Sequence, residues 1–394
     1  QMKRDGYEAD KNDIVVSFKG IDMNLTANWD GTVDSYQWSD DGSKVYFIAA
    51  TDGTKQLFEV NFPGMTRIAI NVQQITKGNF DVNGIVGFSG SKVIVTRGDM
   101  NHAAEIYSYD LKKKDWKQIS NINTEDYKSL ALSKTERRYV TTTDGKKMLV
   151  WVILPPNFDA SKKYPTLLYC QGGPQSALTQ SYSFRWNFQL MAANGYIVVA
   201  PNRRGMPGHG VEWNEQISGD WGGQVMQDYL SAIDDVAKEK YVDKDRLGCV
   251  GASYGGYSAF YLAGIHKNRF KTFIAHDGVF NTQSMFGTTE EVFFNNWDFG
   301  GAYWEKDNKV AQKTYNEFNP ITLVKNWNAP ILIVQGGKDF RVPIGQSLEA
   351  FQAAQLLGIK SRLVYFPEEN HWVLKPQNAI VWQGEFFKWL KETL

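Results

Sequence analysis

The stretch "RLGCVGASYGGYSAFYLAGI", residues 246–265, constrains the fold more than any other part of the chain. Leu247 to Gly251 is a continuous apolar run without alternation, the pattern of a strand buried on both faces, as in parallel sheets. It enters a turn rich in glycine (Gly251, Gly255, Gly256), and an apolar helical stretch, Tyr257 to Ile265, comes next. A buried strand that turns directly into a buried helix requires parallel partners, and parallel partners require crossover segments elsewhere in the chain.

Residues 126–394 supply them. "MLVWVILP" (148–155), "YPTLLYC" (164–170), "YIVVAPN" (196–202), "FIA" (273–275), "PILIVQG" (330–336) and "SRLVYF" (361–366) read as strands. Between them lie helical stretches at 188–195, at 225–240, from about Gly345 to Leu357, and from about Gln377 to Glu392. In the second, Met226, Tyr229, Leu230, Ile233 and Val236 share one helical face. This alternation predicts a doubly wound, mostly parallel α/β sheet.

Residues 1–125 follow a different period. Val45, Phe47 and Ala49 alternate, Asp52-Gly53 turns the chain, and Leu57, Phe58 and Val60 resume. Lys44–Phe47 is echoed by Lys92–Val95, and Leu57–Val60 by Ile106–Tyr109, about 49 residues later. A strand–turn–strand unit at that period predicts β-propeller blades, about two to three of them. So few blades cannot close a ring, so the expectation is a partial propeller in a chain that begins in mid-domain at Gln1.

A length of 394 residues suits two domains. Lys plus Arg equals Asp plus Glu, 43 each, which argues against a nucleic-acid binder needing a basic excess. No apolar run reaches about 18 residues, so no membrane span is expected. No secretory signal opens the chain. Cys170 and Cys249 lie in apolar strands and read as buried thiols. The chain lacks H-E-x-x-H and paired C-x-x-C, and the glycines of "PNRRGMPGHG" (201–210) do not sit in a strand–GxGxxG–helix arrangement, so neither metal nor cofactor is expected.

Strand, tight turn and helix make Gly251-Ala252-Ser253-Tyr254-Gly255 a candidate nucleophile elbow with Ser253 as nucleophile. A serine needs a base, and the base an orienting carboxylate. Asp339 follows a buried strand and His371 follows the last strand, in the chain order Ser, Asp, His. Glu368 and Glu369 are alternative orienters, and His276 also follows a strand end. Small residues at Gly172-Gly173 let a backbone N–H approach an oxyanion, so the expected donors are the N–H groups of Gly173 and Tyr254. "SMFGTTEEVFFNNW" (284–297), with Tyr254 and Val342, suggests an apolar pocket that includes Met285, Phe286 and Phe293. Simple core packing of Phe293 and Phe294 is the alternative. Glu290-Glu291 reads as a helix start.

"GASYGGY", "QGGP", "PNRRG", "GGKDFRVP" and "EENH" together resemble the catalytic domain of the prolyl oligopeptidase superfamily of serine peptidases. The likeness is nearest the bacterial dipeptidyl-peptidase 5 and acylaminoacyl-peptidase branch. "MKRDGYEADK" is similar to a propeller motif of that branch. The resemblance implies an α/β-hydrolase domain capped by a propeller that admits only short peptides, with Ser253, Asp339 and His371 as the triad. It sets Arg204 on a loop near the active site, either in the substrate pocket or supporting the loop. Gln171 stands where relatives that cleave after proline often carry an oxyanion-donating tyrosine. The activity implied is release of dipeptides from the free N-terminus of oligopeptides, with small or hydrophobic residues before the scissile bond. An acylaminoacyl-peptidase or oligopeptidase is the alternative; an esterase and an inactive interaction protein stand behind it. The resemblance further implies a periplasmic or secreted protein, with a cytoplasmic one the alternative, and allows a homodimer.

Overall fold

The computed structural model describes residues 1–64 and 69–394. They form two compact units, and the chain alternates between them. The first comprises Gln1–Leu132, Ala177–Phe184 and Met206–Glu215; the second comprises Ser133–Ser176, Arg185–Gly205 and Gln216–Leu394.

The first unit contains two four-stranded antiparallel sheets with strands in sequential order. One holds Ser35–Trp38, Lys44–Thr51, Thr54–Asn61 and Val72–Gln74. The other holds Asp81–Ser89, Lys92–Asp99, His102–Asp110 and Asp115–Gln118. The repeat found in the sequence is topological: Lys44–Phe47 and Lys92–Val95 each lie in the second strand of their sheet, and the second echoed pair lies in the third. Period two decides what each face buries. Val45, Phe47 and Ala49 join Phe58, Val60 and Ile14 in one cluster. Tyr46 and Ile48 face the other way and pack with Leu57, Val82, Val93 and Val95. The turn between the first pair of long strands uses Asp52 (φ 45°) and Gly53 (φ 71°), the left-handed residues a two-residue hairpin favours.

The second unit is built on one eight-stranded sheet. Its strands are β1 (Lys134–Thr141), β2 (Lys147–Leu154), β3 (Tyr164–Cys170), β4 (Ile197–Pro201), β5 (Val242–Ala252), β6 (Thr272–His276), β7 (Ile331–Gly336) and β8 (Ser361–Phe366). The spatial order is β1-β2-β4-β3-β5-β6-β7-β8. β3 to β8 pair in parallel, while β2 is antiparallel to both β1 and β4. The principal helices are α1 (Gln224–Val236), α2 (Tyr254–Ile265), α3 (Gly345–Leu356) and α4 (Pro376–Thr393). This is the doubly wound, mostly parallel sheet that the strand–helix alternation predicts.

Every residue of β4, β6 and β7 is buried, which explains their unbroken apolar runs. Helix α2 is buried from Tyr254 to Gly264, so it has no polar face to show. The Cys170 and Cys249 thiols are free, buried and 3.7 Å apart on the neighbouring strands β3 and β5. Strand β1 has no counterpart in the sequence reading: its residues, KTERRYVT, are largely exposed because it is an edge strand. Among the described residues no helix is long and apolar enough to cross a membrane.

Candidate active site

Ser253 joins the end of β5 to the start of α2 with φ 60° and ψ −122°. A non-glycine residue in such a conformation carries about 1–3 kcal/mol of strain and persists only where its surroundings hold it. Two hydrogen bonds do so here. The Ser253 N–H donates to the His276 carbonyl at 2.9 Å, and its own carbonyl accepts from the Tyr257 N–H at 2.9 Å. The flanking glycines answer to contact. A Cβ on Gly255 would lie 2.0 Å from the Cys170 carbonyl oxygen, and one on Gly251 would lie 2.5 Å from the Gly255 carbonyl oxygen. The elbow therefore rests directly on the end of β3.

Beyond β3 the chain forms the loop Gln171–Pro174, closed by a cis Gly173–Pro174 bond. A Cβ placed on Gly172 would lie 3.4 Å from the Ser253 Cβ, so this loop runs beside Ser253. Tyr254 occupies the first helical position of α2, where a backbone N–H has no partner within the helix. The two segments chosen for oxyanion donors, at Gly173 and Tyr254, are thus adjacent in space.

Arg203 organises that loop, a role the sequence reading does not assign to it. It is fully buried, and its guanidinium donates to the carbonyls of Pro174 (2.8 Å), Arg204 (2.8 Å) and Gln171 (3.1 Å), and to the Tyr229 hydroxyl (2.9 Å). Its charge lies over the Tyr254 ring, 4.6 Å from the centroid. One buried planar fork fixes both ends of the loop.

The candidate acid and base lie at the carboxyl ends of β7 and β8. Asp339 is buried; its Oδ1 accepts from the N–H groups of Arg341 (3.0 Å) and Val342 (2.9 Å). Its Oδ2 lies 2.6 Å from Nδ1 of the buried His371. With Nδ1–H committed to Asp339, Nε2 is left as the basic nitrogen. The His371 carbonyl accepts from Arg185 Nη1 at 2.9 Å. Neither alternative orienter serves the imidazole. Glu369 accepts from the Leu374 and Lys375 N–H groups and from Asn378, bracing the loop after His371, while Glu368 pairs with Lys338.

A third buried carboxyl, Asp277, follows β6. Its Oδ1 accepts from the Gly336 N–H at 3.1 Å, and its Oδ2 lies 3.9 Å from His371 Nδ1. Burial, and next the charge of Asp339, push this carboxyl well above the usual carboxylate range. Neighbouring His276 is fully buried, and burial followed by Arg185 holds its imidazole well below the usual range. Among the described residues, Asp277, Asp339 and His371 are the one group whose donor atoms are close enough to share a cation, all within 4.8 Å of one another. The 2.6 Å hydrogen bond already engages Nδ1, the nitrogen of His371 that faces both carboxyls.

The expected pocket residues go to several places. The Tyr254 ring is a correction: it is 1% exposed, stacks on Tyr257, meets Trp221 edge-on, and its hydroxyl donates to the Trp221 carbonyl at 2.9 Å. It packs beneath the elbow because the first helical turn directs it inward. Arg204 takes the second of its two expected roles. Its guanidinium is buried in a bidentate pair with Asp144 (2.7 and 2.6 Å) and also meets Asp228 (3.1 Å), so it supports the loop and is not turned to a substrate. Met285 and Phe286 are buried in the helix Thr282–Thr288, with Phe286 edge-on to Tyr303 and Trp304. Val342 is buried beside Asp339. Phe294 is buried, whereas Phe293 is about half exposed. Glu291 stands at the N-cap position of the helix Val292–Asp298, in line with a helix start, and its carboxylate pairs with Arg341 in place of the helix N–H groups.

Comparison with known proteins adds the decisive observation: the prolyl oligopeptidase family profile matches residues 182–394, more than half of the chain. The chain belongs to the prolyl oligopeptidase family. The profile of the dipeptidyl peptidase IV N-terminal region matches residues 10–149. Dipeptidyl-peptidase 5 of Porphyromonas gingivalis is 46% identical over 397 aligned positions, covering 100% of this chain and 57% of the relative. Dipeptidyl-peptidase 5 of Porphyromonas endodontalis is 48% identical, covering 89% of this chain and 50% of the relative. The chain therefore spans about half the length of the curated relatives it matches. Among solved structures, the uncomplexed acylaminoacyl peptidase of Pyrococcus horikoshii superposes with a TM-score of 0.86 at 22% identity, over 98% of this chain and 60% of that one. Dipeptidyl peptidase 4 of Porphyromonas gingivalis gives 0.78 at 19% identity, over 95% of this chain and 52% of that one. The family's fold, an α/β-hydrolase domain with an N-terminal propeller region, is that of this chain.

Proposed function

We propose that this chain is the catalytic part of a serine peptidase that releases dipeptides from the free N-terminus of oligopeptides. The observation that carries the proposal is the buried 2.6 Å contact between His371 Nδ1 and Asp339 Oδ2, at the carboxyl ends of β7 and β8 in the same sheet whose strand β5 ends in the Ser253 elbow. The Ser253 Oγ attacks the scissile carbonyl while His371 Nε2 takes its proton. Asp339 holds the imidazole in the required tautomer and balances the imidazolium. The N–H groups of Tyr254 and Gly173 receive the oxyanion, and the Arg203-clamped loop keeps the second donor in place. His371 then returns the proton to the leaving amine, and water hydrolyses the acyl-enzyme by the same route in reverse.

The preference for dipeptides rests on the relatives named dipeptidyl-peptidase 5. The preference for small or hydrophobic side chains before the scissile bond rests on the apolar stretch 284–297 and on Val342, buried beside Asp339. The same reading puts the protein in the periplasm or outside the cell, which cell fractionation tests.

Two measurements test the proposal. A fluorophosphonate probe should label the protein at Ser253 and leave Ser253→Ala unlabelled; a folded protein inert to the probe refutes the triad. Chromogenic dipeptide amides with a free amine should be cleaved faster than their N-acylated forms. The reverse order would make the protein an acylaminoacyl-peptidase with the same chemistry.

A further inference from the structure

Resting on the reading of Ser253, Asp339 and His371 as a triad, we propose that Asp277 is a positioning residue that shares one proton with Asp339 and becomes the orienting acid of His371 when Asp339 is removed.

The placement begins in the backbone. Asp277 leaves β6 in a left-handed conformation (φ 46°), its N–H donating to the Val334 carbonyl of β7 at 2.9 Å. Its Oδ1 receives the Gly336 N–H at the end of β7. These two bonds direct the carboxyl under the turn that carries Asp339. The Asp277 Oδ2 is buried without a hydrogen-bond partner. It lies 2.9 Å from His276 Nε2, but the two atoms are not aligned for a hydrogen bond. It lies 3.9 Å from His371 Nδ1, the nitrogen that Asp339 engages at 2.6 Å. A buried acceptor left unmatched beside a hydrogen bond of the site is costly in a part that only fills space.

Charge balance decides the proton. Asp339, His371, His276 and Arg185 are the titratable or charged groups facing Asp277, and Arg185 is the fixed cation among them. Two carboxylates with one guanidinium would leave a buried negative charge uncompensated; a proton on Asp277 removes it. Asp339, which already accepts from two backbone N–H groups and from His371, carries the charge. Burial and next the Asp339 charge hold the proton; Asp339→Ala removes the second and opens a space that admits solvent. Asp277 then loses its proton to solvent, and closing the gap by about 1 Å allows its carboxylate to accept the Nδ1–H.

A double-mutant cycle in kcat and KM, with thermal midpoints as the folding control, tests the proposal. Asp277→Asn in the wild-type background should lower kcat by roughly tenfold or less and leave KM unchanged. Asp339→Ala should lose about 10²-fold, where an orienting acid without a substitute costs about 10⁴-fold. Adding Asp277→Asn to Asp339→Ala should remove a further factor of about 10², so the effect is much larger in that background. Asp339→Ala should also gain an acid limb in its pH–rate profile that vanishes in the double variant. An equal effect of Asp277→Asn in both backgrounds overturns the proposal. If Asp339→Ala does not fold, carboxyl carbon NMR of wild type against Asp277→Asn decides: Asp277 should be protonated at pH 7, and an ionised carboxylate there overturns the assignment. Wild-type protein inert to the fluorophosphonate would instead refute the triad itself.

Discussion

Gly255→Ala tests whether the elbow and the oxyanion loop form one rigid piece. The new Cβ would lie 2.0 Å from the Cys170 carbonyl oxygen, 2.8 Å from its carbon and 3.3 Å from the Gln171 carbonyl carbon. All three are backbone atoms, so no side chain can swing aside. Restoring a 3.0 Å contact requires the end of β3 to move about 1 Å from the elbow, and Gln171–Pro174 must move with it. Overpacking of this kind destabilises by about 1–3 kcal/mol. Misplacing a reacting group by about 1 Å lowers the rate by roughly 10². The assay is kcat and KM on a free-amine dipeptide amide, with a thermal melt beside it. We expect kcat to fall by about 10² while KM changes by less than about threefold, because the lost interaction belongs to the transition state. Gly255→Ala with wild-type kcat and an unchanged melting temperature would refute the claim that the two segments are in rigid contact.

Arg203→Lys should lower both kcat and the melting temperature, because one ammonium cannot replace a fork reaching the Gln171, Pro174 and Arg204 carbonyls; each unmatched buried carbonyl costs about 1–3 kcal/mol. Gly384→Ala, in the exposed interior of α4 with open space at its Cβ, should stabilise by about 0.5–1 kcal/mol without altering kcat, as denaturant melts will show. Asp81, deeply buried and pushed up by burial to about 6, binds its proton more tightly folded than unfolded. Its contribution to stability therefore falls as pH rises from about 4 to about 6, by roughly 3 kcal/mol, and is flat above that window. Asp81→Asn should remove this slope, seen as urea midpoints that converge with wild type at pH 4 and exceed it at pH 7.

The features readable in the sequence share one property: each is enforced locally. Gly251 and Gly255 announce a turn with no room for side chains, and Asp339 and His371 are found because each follows an apolar strand. The residues that elude the sequence act across distance. Arg203 binds carbonyls about thirty positions away, Arg185 reaches the His371 carbonyl, and Asp277 meets its partners only once β6 and β7 are side by side. Adjacent arginines in "NRRG" cannot be told apart by type. Only packing assigns one to the Gln171–Pro174 loop and the other to Asp144 and Asp228. Tyr254 shows the converse limit: its backbone position follows from the motif, but the direction of its ring follows from the helix's packing. The polar edge strand β1 carries too little apolar alternation to be seen.

The path of the chain has its own consequence for protein engineering. It passes from one unit to the other at 132/133, 176/177, 184/185, 205/206 and 215/216. Leu178, Thr179, Gln180, Met206 and Trp213, all buried, lie in the two later excursions that return to the first unit. A cut after Leu132 would therefore strand two loops whose buried residues belong to the discarded fragment. Swapping either unit between relatives calls for five coordinated splices in place of one, so substitutions in these excursions must be inherited together with those at the N-terminus.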